Sequence, residues 1–216
     1  MRPTYVLFDL DGTLTDSAGP ILGALAHALE VHGIPPLAPA AARALLGPPF
    51  YESLPPLVGE ELVLPVIATY RERYTTTMLD APLYDGMADL LRRLADDGVV
   101  LAVASSKSEV YVRRIVEHHG LAELFTTVGG DELDGSLGTK ALVIDRVLER
   151  LGRPDPATVA MVGDRQHDVH GARAHGIGCL GVRWGYALPG ELEEAGAARI
   201  VATAAELAVE LAAALG

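Results

Sequence analysis

The chain has 216 residues, half of them hydrophobic, with 29 acidic against 17 basic side chains and a net charge of −12. That length and apolar content fit one domain, or one domain with an insert, and exclude a disordered chain. The acidic balance excludes a typical nucleic-acid binder, whose affinity rests on Lys and Arg at phosphates, and the single cysteine, Cys179, excludes an internal disulfide framework and fits a reducing compartment.

Taken in chain order, short and nearly continuous apolar runs recur at Thr4–Phe8, Val99–Ala104, Thr158–Val162 and Gly178–Val182, with weaker runs at Leu124–Val128 and Arg199–Val201. Continuous rather than alternating runs suit strands buried on both faces of a parallel sheet. From about residue 16 to 82 no strand is predicted. Ser17 stands as a cap for a helix reaching Val31 or His32 and stopped by Gly33. Ala40–Leu46 reads as a short helix, Pro55-Pro56 as a break, and Leu62, Val66, Tyr70 and Tyr74 as a stripe kinked or started by Pro65. After Tyr84 the helical patterns are Leu90, Leu91, Leu94; Val112, Ile115, Val116; and Leu142, Val143, Val147, Leu148, Leu151, stopped by Gly98, Gly120 and Gly152 respectively. The Ala-rich C-terminus, broken by Glu206 and Glu210, reads as an amphipathic helix. The expected fold is α/β: a Rossmann-like doubly wound parallel sheet formed by residues 1–15 and 83–216, with a helical cap formed by residues 16–82 inserted after the first strand. No run is long enough for a signal-peptide core or a membrane span, so the expectation is a cytoplasmic protein, monomer or homodimer, with no membrane or nucleic-acid partner.

In an open parallel sheet ligands bind beyond the carboxyl ends of the strands. There the first run ends in Asp9-Leu-Asp11-Gly-Thr-Leu-Thr, the second in Ser105-Ser106-Lys107, and the run at Thr158–Val162 in Gly163-Asp164-Arg-Gln-His-Asp168; Lys140 opens the helix before that last strand. A phosphate dianion beside carboxylates needs its repulsion cancelled. Mg²⁺ suits one or two carboxylates plus phosphate oxygen and water, and Asp9 and Asp164 are candidates to hold it. Lys140 supplies a second positive charge and Ser105 a hydroxyl. A carboxylate is then able to attack phosphorus, and Asp11 stands two residues on as an acid and base. Gly12 permits a sharp turn. Arginine outnumbers lysine fifteen to two, so the two lysines, Lys107 and Lys140, stand out.

Asp9-Leu-Asp11-Gly-Thr-Leu resembles the first motif of the haloacid dehalogenase superfamily. Ser105, Lys140 and Gly163-Asp164-Arg-Gln-His-Asp168 resemble the other three, in order, and the insert is similar to a subclass I cap. The stretch from Gly163 through Gly181-Val-Arg-Trp-Gly-Tyr186 is most similar to the phosphoglycolate phosphatase and 5′-nucleotidase branch. The resemblance implies a Mg²⁺-dependent phosphatase acting on a small phosphomonoester, such as phosphoglycolate, a nucleoside monophosphate or a sugar phosphate, through an aspartyl phosphate. It implies Asp9 as nucleophile and metal ligand, Asp11 as acid/base with its carbonyl on the metal, Asp164 as ligand and Asp168 in the layer behind. Ser105 and Lys140 would bind the phosphoryl group, with Ser106 positioned where many relatives carry Asn, and Gly12 to Thr15, Thr13 included, would form a flap under the cap.

Each residue has a plainer reading. Asp9 and Asp11 suit a turn, Ser105 a cap for a helix starting near Ser108, and His167 and His170 the rim. Tyr70 and Tyr74 suit cap core, Lys107 the cleft or solvent, and Arg43 either a substrate contact in the cleft or solvent. Trp184 suits the sheet edge. Among competing functions, a phosphosugar mutase shares the scaffold, and a phospho-aspartate receiver module shares the chemistry but is about half as long and lacks the insert. A phosphonate hydrolase of this family needs a cap lysine, and the insert has none.

Overall fold

The computed structural model describes residues 3–213. Its sheet has six parallel strands, β1 (Tyr5–Phe8), β2 (Val100–Ser108), β3 (Phe125–Asp131), β4 (Val159–Gly163), β5 (Gly178–Val182) and β6 (Arg199–Val201), in the order β3-β2-β1-β4-β5-β6. Successive side chains of a strand face opposite sides. Val6 and Phe8 accordingly enter one apolar layer and Leu7 the other, and Val103 and Ala104 divide in the same way. The continuous apolar runs are the signature of this double burial.

One face is covered by α6 (Met87–Asp96), α7 (Glu109–His118) and α11 (Ala204–Ala213), through Leu90, Leu91, Val112, Ile115, Leu207 and Leu211. The other is covered by α8 (Lys140–Arg150), α9 (Gln166–Arg173) and α10 (Glu191–Ala195), through Val143, Ile144, Val147, Val169, Ala172 and Leu192. Strand order reverses between β1 and β4, so Asp9 and Asp164 leave the sheet on either side of the switch point where such sheets bind ligands. No helix among the described residues is long and apolar enough to cross a membrane.

Between β1 and α6 lie five helices: α1 (Ala18–Val31), α2 (Pro39–Ala44), α3 (Phe50–Ser53), α4 (Pro55–Val58) and α5 (Glu60–Thr77). Leu25 and Leu29 of α1 share an apolar cluster with Val66 and Ile67 of α5. Of the two alternatives for Pro65, the structure has it inside helix α5, which begins at Glu60. Pro55-Pro56, read as a break, opens α4 instead, where the missing N–H removes no helical bond, and the four residues of α3 precede it behind Pro49. The chain enters and leaves this insert side by side: Thr15 bridges Leu83, Asp16 N–H donates to Pro82 O at 2.9 Å, and Tyr84 N–H donates to Leu14 O at 3.0 Å.

Candidate active site

The floor of the site is built from the ends of β1, β2 and β4 and the start of α8. Lys140 is the first residue of α8, behind Thr139, whose side chain accepts a hydrogen bond from Leu142 N–H at 3.3 Å. From there its ammonium donates to Asp9 Oδ1 at 2.7 Å and to Ala104 O at 3.0 Å, and pairs with Asp168 Oδ1 at 2.7 Å. Burial works against the Lys140 charge, but Asp168 and Asp9 outweigh it and hold the ammonium firmly protonated. For Asp9 burial wins: the carboxyl is pushed up to about 6 despite Lys140, with Asp168 and Asp11 adding to the push. Asp164 is pushed well above the usual carboxylate range by burial, then by Asp168 and Asp9.

Asp164 is fully buried, accepting from Tyr186 N–H at 2.7 Å and from Thr13 Oγ1 at 3.3 Å. Gly12 packs against it with φ +84°, and a Cβ there would lie 2.2 Å from Asp164 Oδ2, so both backbone and space require glycine. Asp168 is fixed by the N–H of Arg165 at 3.0 Å. One oxygen from each of Asp9, Asp164 and Asp168 lies within 4.8 Å of the others. Three buried carboxylates meet there and only two of them, Asp9 and Asp168, pair with Lys140, and a hard divalent cation fits such an all-oxygen set.

Asp11 lies across from this group. Its Oδ1 accepts from Ser17 Oγ at 2.6 Å, and its Oδ2 pairs with Lys107 Nζ at 2.8 Å. Contrary to the expectation of a cap, Ser17 makes no side-chain capping bond to α1; its hydroxyl is spent on Asp11. Lys107 is buried in the cleft, over the Tyr74 ring at 4.5 Å from its centroid. Strand β2 runs on to Ser108, so Ser105 lies inside the strand and caps no helix; its Oγ accepts from Lys107 N–H at 3.2 Å. Ser105, Ser106 and Lys107 all line a cavity of about 140 Å³ above Asp9, Asp11 and Lys140.

The roof of that cavity comes from the insert. Arg43 is exposed on α2 and is not among the lining residues; the insert arginine that does line the cavity is Arg71. Arg71 donates to Tyr51 OH at 3.1 Å and also to Leu133 O in the loop after β3, and Gly135 of that loop lies so close to Tyr51 that a Cβ would sit 2.5 Å from its ring. A second tie is Arg165, which pairs with Glu191 at 2.7 Å and donates to Leu46 O in the insert. Of the histidines at this end, His167 lines the cavity. Trp184 donates its indole N–H to Thr13 O at 3.1 Å, steadying the turn after Asp11. Cys179 is buried, and burial pushes its thiol well up, leaving it an inert core residue.

Sequence reasoning did not find Ser17 and Tyr186 as partners of the two aspartates, nor Arg165 as a tie to the insert. Lys107 carried a signal, as one of only two lysines. The Tyr186 contact carries none, because a backbone N–H is supplied by any residue but proline.

Residues 6–182 match the family model of the haloacid dehalogenase-like hydrolases, and the chain belongs to that family. Over 185 residues it is 44% identical to "Tyrosine-protein kinase PtkA" of Mycobacterium tuberculosis; the alignment covers 85% of this chain but only 63% of that protein's length. It is 35% identical to a "5'-nucleotidase" of Pseudomonas aeruginosa, covering 89% of this chain and 88% of that one. The crystal structure of "a predicted phosphatase from Clostridium acetobutylicum" superimposes with a TM-score of 0.92 at 36% identity, covering 98% of this chain and 99% of the other.

Proposed function

We propose that this protein is a Mg²⁺-dependent phosphatase that hydrolyses a small phosphomonoester by way of an aspartyl phosphate. The observation that carries this is the Lys140 ammonium held between Asp9 and Asp168, with Asp164 alongside and Asp11 facing the same cavity. Asp9 is the nucleophile. Lys140 neutralises the phosphoryl oxygens, and the Ser105 hydroxyl donates to them, with Ser106 lining the cavity beside it. Asp11, oriented by Ser17 and Lys107, gives a proton to the leaving oxygen and then takes one from the attacking water. Asp9 and Asp164, with Asp168 behind and the Asp11 carbonyl beside them, would hold Mg²⁺. When bound, that ion supplies charge to bring a phosphate dianion against carboxylates. Gly12 and Thr13 shape the turn that keeps Asp164 in place.

The insert of residues 16–82 is a cap over this floor, and the two adjacent chain segments joined by the Thr15–Leu83 bridge are its hinge. Closed, it keeps bulk water from the acyl phosphate.

Two other readings use the same floor. A mutase would return the phosphoryl group to a sugar hydroxyl, and the kinase name of one relative suggests discharge to a phenol. Hydrolysis is favoured by the 5′-nucleotidase, which this chain covers over 88% of its length. The test is a panel of phosphate esters with Mg²⁺, read as free phosphate, against the same panel in excess chelator. Phosphate release that stops with chelator and returns with Mg²⁺ is expected. Full activity in chelator would overturn the metal assignment, and transfer to an added alcohol or phenol without phosphate release would overturn hydrolysis.

A further inference from the structure

The cavity has a second wall, away from the carboxylates. Four aromatic rings meet there and all four residues line the cavity: Phe50 of α3, Tyr70 and Tyr74 of α5, and Tyr111 of α7. Phe50 stands edge-on to Tyr70 with centroids 4.7 Å apart, Tyr70 stacks on Tyr74 at 5.3 Å, and Tyr74 meets Tyr111 edge-on at 5.8 Å. The run therefore crosses from the insert to the sheet domain. Alternating edges and faces offer an incoming ring both the negative face and the positive rim that aromatic pairs prefer.

Two hydroxyls in this wall lack an acceptor. The buried Tyr74 hydroxyl has only the Lys107 ammonium beside it, itself a donor, and Ser108 Oγ makes no hydrogen bond; both residues line the cavity. A buried hydroxyl without a partner is costly, and such atoms in a binding cavity are commonly satisfied by the ligand. Burial pushes the Tyr74 phenol up, so it stays a neutral O–H donor.

Most cations of the cavity are paired with carboxylates: Lys140 serves Asp9 and Asp168, Lys107 serves Asp11 and Arg165 serves Glu191. Arg71 donates to the neutral oxygens of Tyr51 and Leu133. A leaving group with its own carboxylate, as in phosphoglycolate, would have Arg71 alone of these to meet, whereas a ring is met by four aromatic side chains.

We propose that the leaving-group pocket of this protein takes a planar unsaturated ring bearing a hydrogen-bonding substituent, bound by the rings of Phe50, Tyr70, Tyr74 and Tyr111 and by the Tyr74 hydroxyl. This rests on the phosphatase reading and names its substrate class: phosphomonoesters of ring-bearing alcohols. A nucleoside monophosphate and a ring attached through one carbon share that chemistry.

The test compares kcat/KM for benzyl, 3-hydroxybenzyl, cyclohexylmethyl and butyl phosphates, 2-phosphoglycolate and uridine 5′-monophosphate, all alkyl esters that need the same protonation of the leaving oxygen. A ring-bearing ester is expected to exceed butyl phosphate and phosphoglycolate by about tenfold or more. Whether the benzyl ester or the nucleotide leads separates a directly attached ring from one carried on a sugar. The hydroxybenzyl ester should exceed the benzyl ester by roughly three- to tenfold, the range of one hydrogen bond. In Tyr74→Phe that ratio should fall to about one while Tm holds, because the hydroxyl removed donates to no acceptor in the fold. Equal or better turnover of phosphoglycolate, or of cyclohexylmethyl against benzyl phosphate, overturns the proposal and leaves the phosphatase reading standing. A hydroxybenzyl preference unchanged in Tyr74→Phe removes the role given to its hydroxyl. No hydrolysis of any ester, p-nitrophenyl phosphate included, overturns both.

Discussion

The floor and the roof of the cavity are made on opposite principles. On the floor, Asp9, Asp11 and Asp168 pair with two ammonium groups at hydrogen-bond distance, Asp164 is held by Thr13 and the Tyr186 N–H, and buried backbone groups of Ala104 and Arg165 complete the set. In the roof the surfaces are apolar or aromatic, and the contacts with the sheet domain are rings, Tyr74 against Tyr111 and Lys107, and two arginines bound to carbonyl oxygens. The contrast divides labour. A floor with its charges fixed in advance suits a reaction whose charge development is the same for every ester. A roof with spare surface sets which ester enters.

The sharpest break of that comparison is Asp9→Asn, which removes the attacking oxygen and should abolish turnover of every ester by at least about 10⁴-fold, as nucleophile deletions do. Steady-state phosphate release checks it; selective loss for some esters would mean Asp9 reads the substrate. Next in size is Asp11→Asn, with an expected loss of about 10²–10⁴-fold on alkyl phosphates. An activated ester such as dinitrophenyl phosphate should still phosphorylate Asp9, and the adduct of about 80 Da should accumulate on intact-mass analysis because the base for the water step is missing. An adduct mapping to Ser105, or wild-type turnover of alkyl phosphates, would reverse these roles.

The floor should also reveal itself in stability. Asp9 titrates near 6 in the folded chain and at an ordinary 3.8 when unfolded. Between those values the folded state binds more protons, so metal-free stability falls as pH rises from roughly 4 to 6. Asp164, raised for the same reason of burial, deepens the fall. Mg²⁺ binds the ionised carboxylates, so the Tm gained on adding it should grow across that window. Thermal melts in chelator and in Mg²⁺ at about pH 4.5 and 7 read this directly; an equal gain at both would separate the metal from these carboxylates. The smallest effect belongs to the roof. Arg71→Gln loosens the contact with Tyr51 and Leu133 O and should raise KM about three- to tenfold for all esters, with kcat less affected. A fall in kcat as large as that in Asp11→Asn would place Arg71 on the floor instead.

Legibility in the sequence follows the same division. β1, β2, β4 and β5 are visible as apolar runs because burial on both faces leaves little polar alternation, β3 and β6 only as weaker runs since Thr126 and Arg199 are exposed, and Asp9, Asp164 and Lys140 stand at the ends of elements so delimited. Helices α3 and α4 have four residues each, too few for any helical period to show. Ser17 carries a cap signature, yet its hydroxyl turns back six residues to Asp11, a choice made by the turn at Gly12 and not by local propensity. Arg43 and Arg71 are alike as letters; which faces the cavity depends on how α2 and α5 are rolled in the cap.

The doorway between Leu14 and Tyr84 has an evolutionary reading. Because the chain leaves and returns through adjacent hydrogen-bonded residues, the sheet sees the whole insert as a long hairpin loop. The entropy of closing a loop grows only with the logarithm of its length, so a longer, shorter or wholly different insert costs the sheet on the order of a kilocalorie. Leu14 is buried in the same apolar cluster as Val6 and Phe8, with Leu83 and Tyr84 packed against it, so the doorway is anchored to the sheet and such an exchange leaves register and catalytic carboxylates where they are. A single reaction platform is thereby free to change its clientele by replacing one contiguous piece of chain.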